Sequence, residues 1–255
     1  LVKIDKWPNK ENKSPLGSIT HVLGQAGENN TEIHAIMAEY GLPFEFSKKV
    51  EEAANLIPVA ISKEEIKKRR DFRKEVTFTI DPHDAKDFDD ALSVKKLGNG
   101  HVEIGIHIAD VSHYVIPDSL LEKEAFERAT SVYLVDRTIP MLPEQLSNGL
   151  CSLRPKEEKL TFSAVFEINH EGKVFDKWFG RTVIYSDRRF AYEDAQEIIE
   201  GNQGDYQEEI LLLNDLAGKI REQRFANGAV NFESVEVNFR LDEKGKPLEV
   251  IPKER

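Results

Sequence analysis

The chain has 255 residues, 40% of them apolar, a length that suits one large domain or one domain with a smaller companion. Its formal net charge of −11 argues against a non-specific binder of polyanions, although metal-binding aspartates would count as acid in that sum. The single cysteine, Cys151, excludes an internal disulfide and a cysteine-built zinc site, and we expect it to be a small buried residue. Neither a signal peptide nor an apolar run near the roughly 18 residues of a membrane span is present, so a cytoplasmic protein without membrane contact is expected.

The first 62 residues predict short strands broken by prolines and glycines. Strands are expected at 1–4 and 18–23, and a helix at 31–40 with Thr31 as its N-cap. Residues 63–75 predict a charged helix that links this region to the main domain, residues 76–255. The chain starts without methionine and ends in a charged tail, so we expect a piece of a longer protein.

The main domain opens with a strand at 76–81, where Val76, Phe78 and Ile80 share one face. Strands at 91–95 and 102–110 flank the turn 97–100, which has the sequence Leu-Gly-Asn-Gly and predicts a hairpin. Further elements follow: a helix that Asp118 caps and that runs to 129, strands at 160–168, 174–186 and 230–241, and helices at 192–200 and 206–226. The pattern predicts an α+β fold, with a mixed, mostly antiparallel sheet flanked by helices.

The loop between the first two of these strands holds five carboxylates in ten residues: Asp81, Asp84, Asp87, Asp89 and Asp90. Such a cluster repels itself at neutral pH, so a cation is expected among the side chains. Oxygen ligands favour Mg²⁺, or Mn²⁺, over zinc. Two such ions about 4 Å apart are the usual arrangement for in-line attack on a phosphodiester.

Other interpretations of the loop stay open. It could be a solvated acidic turn, and glycosidase chemistry, which needs only two carboxylates, is not excluded. An EF-hand fits poorly, because the glycine and the glutamate of that loop are missing from their positions.

The predicted hairpin register places Ala109 opposite Asp89 and Asp110 beside the same site. His107 and Asp110 are therefore candidates for orienting the metal-binding residues, although a lone histidine is more often a satisfied core residue. Basic residues also cluster at 67–70, 73–74 and 188–189. The simplest interpretation of each cluster is a solvent-exposed face of the protein.

Several long motifs resemble the catalytic domain of the ribonuclease II/ribonuclease R family, and they are closest to ribonuclease R. They are Thr79-Ile-Asp81 with Asp87-Phe-Asp-Asp-Ala-Leu92, His107-Ile-Ala-Asp-Val-Ser-His-Tyr-Val115, Thr130-Ser-Val-Tyr-Leu134 and the stretch from Ile139 to Leu153. The match covers residues 70–255 in collinear order, which would make this region the N-terminal part of that catalytic domain. Residues 1–62 are similar to the end of the cold-shock, OB-type β-barrel that precedes catalysis in that family.

The resemblance implies a processive exonuclease that releases nucleoside 5′-monophosphates from the 3′ end of single-stranded RNA. It places the metal-binding, catalytic aspartates at Asp81, Asp87, Asp89 and Asp90. Tyr133 matches a tyrosine that packs near the last nucleotides, and Tyr192 matches one associated with a preference for RNA. Asp84 lies outside the four matched aspartates.

The family also uses an arginine, a glutamate and a second aromatic clamp further downstream, which this chain lacks. We therefore expect the isolated fragment to be inactive. We also expect the protein to be a monomer. Two alternatives remain: a fragment that binds metal and RNA without cleaving, and an acidic structural domain.

Overall fold

A computed structural model of the chain describes residues 1–10, 13–43, 45–231, 235–243 and 245–254. The chain divides into two compact units. The smaller unit comprises Leu1–Ser47, Arg128–Met141 and Glu233–Arg255, and the larger unit comprises Lys48–Glu127 and Leu142–Phe232. The boundaries predicted at residues 62 and 75 stay a prediction.

The strands, in chain order, are β1 (Val2–Lys6), β2 (Leu16–Ile19), β3 (Arg70–Asp71), β4 (Val76–Asp81), β5 (Asp90–Lys96), β6 (Val102–Ala109), β7 (Val132–Tyr133), β8 (Thr138–Ile139), β9 (Glu158–Ile168), β10 (Val174–Tyr185), β11 (Arg188–Ala191), β12 (Val235–Leu241) and β13 (Pro247–Glu254). The helices are α1 (Asn29–Glu39), α2 (Lys48–Asn55), α3 (Lys63–Lys67), α4 (Val111–Tyr114), α5 (Leu120–Arg128), α6 (Tyr192–Ile199) and α7 (Gln207–Ala226), with a π-helix at Gln145–Leu150. Among the described helices, none combines the length and the apolar character needed to cross a bilayer.

A seven-stranded sheet forms the core of the larger unit, in the order β11-β4-β5-β6-β9-β10-β3. The four inner pairs are antiparallel, and the two outermost pairs, β11 with β4 and β10 with β3, are parallel. This is the mixed, mostly antiparallel sheet that the sequence predicts, and the fold class is confirmed. The smaller unit contains the antiparallel pairs β1–β2, β7–β8 and β12–β13.

The hairpin of β5 and β6 has the predicted register. Asp90 pairs with Ile108, and the Ala109 amide donates to the Asp89 carbonyl at 3.0 Å. The turn depends on Gly100, whose φ of +81° lies in the left-handed region that glycine adopts without strain. The two strands therefore end beside the aspartate loop, as alternation and turn residues indicate.

Helices α6 and α7 cover part of one face of the sheet. Phe78 and Phe190 pack with Ala195 and Ile198 of α6 and with Ile210 of α7. A second buried cluster joins Leu216 of α7 to the far ends of β6 and β9, through Val102, Ile104 and Ile168. Ile210 and Leu216 of α7 are buried, whereas Ala217, the next residue along the helix, is exposed.

Several predicted boundaries were wrong. The helix predicted over 63–75 ends at Lys67, and Arg70–Asp71 forms a strand that pairs with β10. The local sequence did not predict this strand, because its partner lies far away along the chain. Ser119, not Asp118, accepts the capping hydrogen bond of α5, from the Glu122 amide at 3.1 Å. Helix α1 begins at Asn29, ahead of Thr31. Strand β2 spans Leu16–Ile19 instead of 18–23. Of the strand predicted at 230–241, residues 232–234 lie outside the described residues, and β12 begins at Val235.

Candidate metal centre

The aspartate loop connects two neighbouring strands at one edge of the sheet. Because β4 and β5 are adjacent and antiparallel, the C-terminal end of β4 and the N-terminal end of β5 meet at that edge. Asp81 is the last residue of β4, and Asp90 is the first residue of β5. Asp87 and Asp89 lie in the intervening loop, so the sheet brings all four predicted carboxylates to one region.

The carboxylates are close enough for their charges to act on one another. Burial raises the pKa of Asp81, and the Thr79 hydroxyl gives the largest opposing effect. The charge of Asp90 raises this pKa further, followed by smaller effects of Arg189, which lowers it, and of Asp87, which raises it. Partial burial also raises the pKa of Asp89, and the charges of Asp87, Asp90 and Asp81 add to that effect. One carboxylate oxygen of Asp81, Oδ2, is buried without a hydrogen-bond partner. The site therefore carries more negative charge than its protein neighbours neutralise.

The donor set fits a hard divalent cation. Asp81, Asp87, Asp89 and Asp90 offer only carboxylate oxygens, the ligands that Mg²⁺ and Mn²⁺ prefer. A cation would also satisfy the buried Oδ2 of Asp81 and offset the mutual repulsion. Within the described part of the chain, no three acidic, histidine or cysteine side chains are already arranged to hold a metal ion.

Ser152 and Leu153, which are distant in sequence, form hydrogen bonds with the backbone of the aspartate loop. The Ser152 hydroxyl accepts a hydrogen bond from the Phe88 amide at 3.1 Å and donates to the Lys86 carbonyl at 2.9 Å. The Leu153 amide donates to the Phe88 carbonyl at 2.8 Å. Ser152 directly follows Cys151, a buried residue whose thiol pKa burial raises to about 12. The prediction that Cys151 is a small buried residue is confirmed.

Arg189 anchors the other end of the loop. Its guanidinium donates to the carbonyls of Pro82 and His83, and it lies over the Phe88 ring. The sequence showed Arg189 only as part of a basic cluster, since its partners lie more than 100 residues away. Its location on β11, paired in parallel with β4, gives it this position.

The two predicted RNA-binding tyrosines lie in different units. Tyr192 is 47% exposed and directly follows Ala191, which pairs with Asp81 across the β11–β4 edge. The sheet thus brings Tyr192 to the same end as the aspartates. Tyr133 is 69% exposed and lies on β7 of the smaller unit.

His107 lies inside the sheet packing, with both ring nitrogens engaged. Nδ1 is 2.7 Å from the Ser163 hydroxyl, and Nε2 is 2.8 Å from the Ser93 hydroxyl. Burial, with a smaller effect of the Arg70 charge, lowers the pKa of His107 to about 3. These contacts match the alternative interpretation, a satisfied core histidine.

Asp110 forms a buried ion pair. Its Oδ2 lies 2.8 Å from Nη1 of Arg69, and its Oδ1 accepts from the Ser112 hydroxyl at 2.7 Å. Its neighbour Ala109 holds the Asp89 carbonyl. Asp110 is therefore tied to Arg69 through its side chain and is linked to the aspartate loop only through the backbone.

The fold and the site define an α+β domain with an acidic, oxygen-lined centre at one edge of a mixed sheet. Two family models match the chain: the RNB domain over residues 69–255 and the cold shock domain over residues 1–47. The chain belongs to the RNB-domain family, that of ribonuclease II and ribonuclease R.

The curated relatives include proteins named as ribonucleases and one named as an inactive exonuclease. Ribonuclease R 1 of Lactococcus lactis subsp. lactis (strain IL1403) is 40% identical over 261 residues, which cover 100% of this chain and 32% of that protein. A protein named inactive exonuclease DIS3L2, from Arabidopsis thaliana, is 37% identical over 254 residues, covering 93% of this chain and 24% of its own length. The chain thus spans about a third or less of these relatives.

A solved structure shares the fold over nearly the whole chain. It is Mycoplasma genitalium RNase R in complex with double-stranded RNA, with a TM-score of 0.90 and 28% identity. The match covers 99% of this chain and 45% of that one. The cold-shock match and this structure agree with the predicted remnant of an OB-type barrel at the N-terminus.

Proposed function

We propose that this chain is the aspartate-bearing part of a 3′-to-5′ exoribonuclease that hydrolyses RNA to nucleoside 5′-monophosphates. The observation that carries the proposal is the convergence of four aspartates at the β4–β5 edge in a chain of the RNB family. Mutual repulsion and an unpartnered buried oxygen at that edge favour a bound divalent cation, Mg²⁺ or Mn²⁺.

In this proposal, Asp81, Asp89 and Asp90 hold the cation, and Asp87 shares or supports the ligation. When bound, the ion supplies activation of a water molecule and stabilisation of the negative charge on the phosphate. The sheet edge sets the positions of the carboxylates, so the scissile phosphodiester is held where they converge. In this proposal, Tyr192 and Tyr133 each stack on a base of the RNA. Stacking tolerates any base, which suits an enzyme that degrades RNA of any sequence.

The proposed substrate is the 3′ end of single-stranded RNA, and we propose a monomer that acts in the cytoplasm. The names of the relatives support a nuclease that acts on RNA, and one neighbouring structure is an RNase R bound to RNA. Because the chain spans less than half the length of the curated relatives that it matches, we expect the isolated chain to bind metal and RNA but not to hydrolyse RNA.

A chimera tests the activity with these residues in place. The matched third of Ribonuclease R 1 would be replaced by this chain, and single-stranded RNA labelled at either end would be digested with Mg²⁺. We expect 3′-labelled RNA to release labelled mononucleotide at once, whereas 5′-labelled RNA shortens progressively. Asp89→Asn should reduce turnover by more than about 100-fold and leave RNA binding largely intact.

Asp84→Asn is the matched control, since it removes a carboxylate of the same loop that lies outside the proposed four. Its turnover should stay near that of the parent chimera. Near-normal turnover with Asp89→Asn would refute the role of that residue. A folded chimera that binds RNA but does not cleave it would favour a binding module, as the inactive Arabidopsis relative suggests.

A further inference from the structure

Two groups of hydrogen bonds hold the backbone of the aspartate loop. Ser152 and Leu153 together satisfy both the amide and the carbonyl of Phe88, and Ser152 also donates to the Lys86 carbonyl. Ser152 is fully buried, so its hydroxyl has no competing contact with water. Phe88 is the residue between Asp87 and Asp89, and its ring is buried as well. Fixing Phe88 therefore fixes the backbone on which both aspartates stand.

The second group acts just beyond Asp81. The Arg189 guanidinium donates to the consecutive carbonyls of Pro82 and His83. Its positive charge also lowers the pKa of Asp81, against the larger effect of burial, which raises it. One arginine thus ties the start of the loop to β11 and offsets part of the carboxylate repulsion.

We propose that Ser152 and Arg189 are positioning residues that preset the aspartate loop for a divalent cation. The inference rests on the proposed metal centre and deepens it. Four carboxylates in one short loop repel one another and tend to spread apart, and a loop without internal sheet pairing offers little resistance to that spreading. The anchors oppose it, because every carbonyl or amide they hold lies within two residues of a proposed ligand.

The expected effect is on metal affinity more than on folding. Partners that orient metal ligands typically account for 10–100-fold in affinity when they are removed. Ser152→Ala leaves the amide of Phe88 and the carbonyl of Lys86 without their partner, so the segment around Asp87 and Asp89 loosens. We expect Mn²⁺ to bind the Ser152→Ala chain at least about 10-fold more weakly.

The chain offers a matched control in the same motif. The hydroxyl of Ser147 is also buried, but it has no hydrogen-bond partner, so Ser147→Ala removes a serine hydroxyl without releasing the loop. Mn²⁺ affinity would be measured on the 255-residue chain by electron paramagnetic resonance titration of free Mn²⁺. Circular dichroism and the melting temperature in EDTA would show that each variant is folded. Ser147→Ala should bind like the parent.

Arg189→Lys provides a second arm that does not depend on Ser152. Both hydrogen bonds come from Nη2, and the planar guanidinium also lies over the Phe88 ring. Lysine keeps the positive charge beside Asp81 but lacks that planar group. We expect Arg189→Lys to recover only part of the affinity that Arg189→Met loses. Mn²⁺ affinity of Arg189→Met equal to that of the parent would overturn the positioning role of Arg189, and full recovery by lysine would overturn its dependence on the guanidinium.

The outcomes separate this inference from the proposed function. If Ser152→Ala is folded and binds Mn²⁺ like Ser147→Ala, while Asp89→Asn abolishes binding, the positioning role of Ser152 is overturned and the metal centre stands. If Asp89→Asn binds Mn²⁺ as tightly as the parent, the metal centre fails, and the inference fails with it. If Ser152→Ala does not fold, the Arg189 variants decide.

Discussion

The ion pair between Arg69 and Asp110 is the interaction in the larger unit whose loss we expect to cost the most stability. The Arg69 side chain is 0% exposed and that of Asp110 is 1% exposed, with 2.8 Å between Nη1 and Oδ2. Arg69 also contacts Glu65 at 2.8 Å and donates to the carbonyls of Thr161 and Thr182. Arg69→Met keeps much of the apolar stem but leaves the charge of Asp110 buried.

Removing one partner of a buried ion pair costs about 3–5 kcal/mol, because the other charge stays desolvated. Asp110 would keep the Ser112 hydrogen bond and the half-exposed Arg181, 3.5 Å away. We therefore expect a loss near the lower end, about 3 kcal/mol at pH 7.

The loss should depend on pH. Burial raises the pKa of Asp110, but the Ser112 hydrogen bond and the Arg69 charge outweigh it, so the pKa lies below its ordinary value. The pair thus stabilises the parent above the unfolded pKa of about 3.9, and this contribution disappears as the pH falls through the folded pKa. In Arg69→Met the pKa of Asp110 rises, and protonation relieves the buried charge. The difference between variant and parent should therefore shrink as the pH falls from 7 towards 4.

The assay is urea unfolding at pH 7 and pH 4.5, in a Trp7→Phe background where only Trp178, in the larger unit, reports by fluorescence. Arg73→Met is the control, because its pairs with Asp71 and Glu158 are solvent-exposed and should be worth less than about 1 kcal/mol. A cost for Arg69→Met no greater than that of the control, or the same cost at both pH values, would refute this reasoning.

Three further predictions concern the site and the sheet beneath it. Burial and then three carboxylates raise the pKa of Asp89, so its charged form destabilises the fold at pH 7. Asp89→Asn should therefore raise the melting temperature in EDTA at pH 7. Calorimetry should show that this gain disappears at low pH, where Asp89 of the parent is protonated. His107, with a pKa of about 3, should show no NMR titration from pH 8 to 4, and its stabilising contribution should fall as the pH drops below about 6.5; a midpoint near 6.5 would contradict this. The Cβ of Gly105→Ala would clash with the Ser93 hydroxyl and the His107 ring, so we expect the free energy of unfolding, measured in urea, to fall by about 1–3 kcal/mol. Gly98→Ala is the control and should be near neutral, because its Cβ contacts no other residue.

Much of the site was predictable because it is encoded locally. The turn at 97–100 and the alternation of apolar residues on both sides set the β5–β6 register, so the position of Ala109 beside Asp89 followed from sequence. The clustering of aspartates between two strands likewise needed no knowledge of distant residues.

The surroundings of the site were not predictable, because their partners are remote. His107 and Asp110 were correctly placed near the end of a strand, but their side-chain partners, Ser163 and Arg69, come from other elements. The short strands β3 and β11 have too few residues for a periodic pattern, and they exist only through parallel pairing with β10 and β4.

The sequence by itself determined the acidic loop, the family motifs, the central hairpin and the α+β class, since each depends on residue types within a few positions of one another. Only the tertiary structure determined which side chains form hydrogen bonds with the backbone of the loop. Ser152 lies 64 residues from Phe88, and Arg189 lies 106 residues from His83, and no local pattern announces either contact. The physical reason is that every residue carries the same backbone carbonyl, and every residue except proline the same N–H. Which side chain satisfies them is settled when distant strands pack.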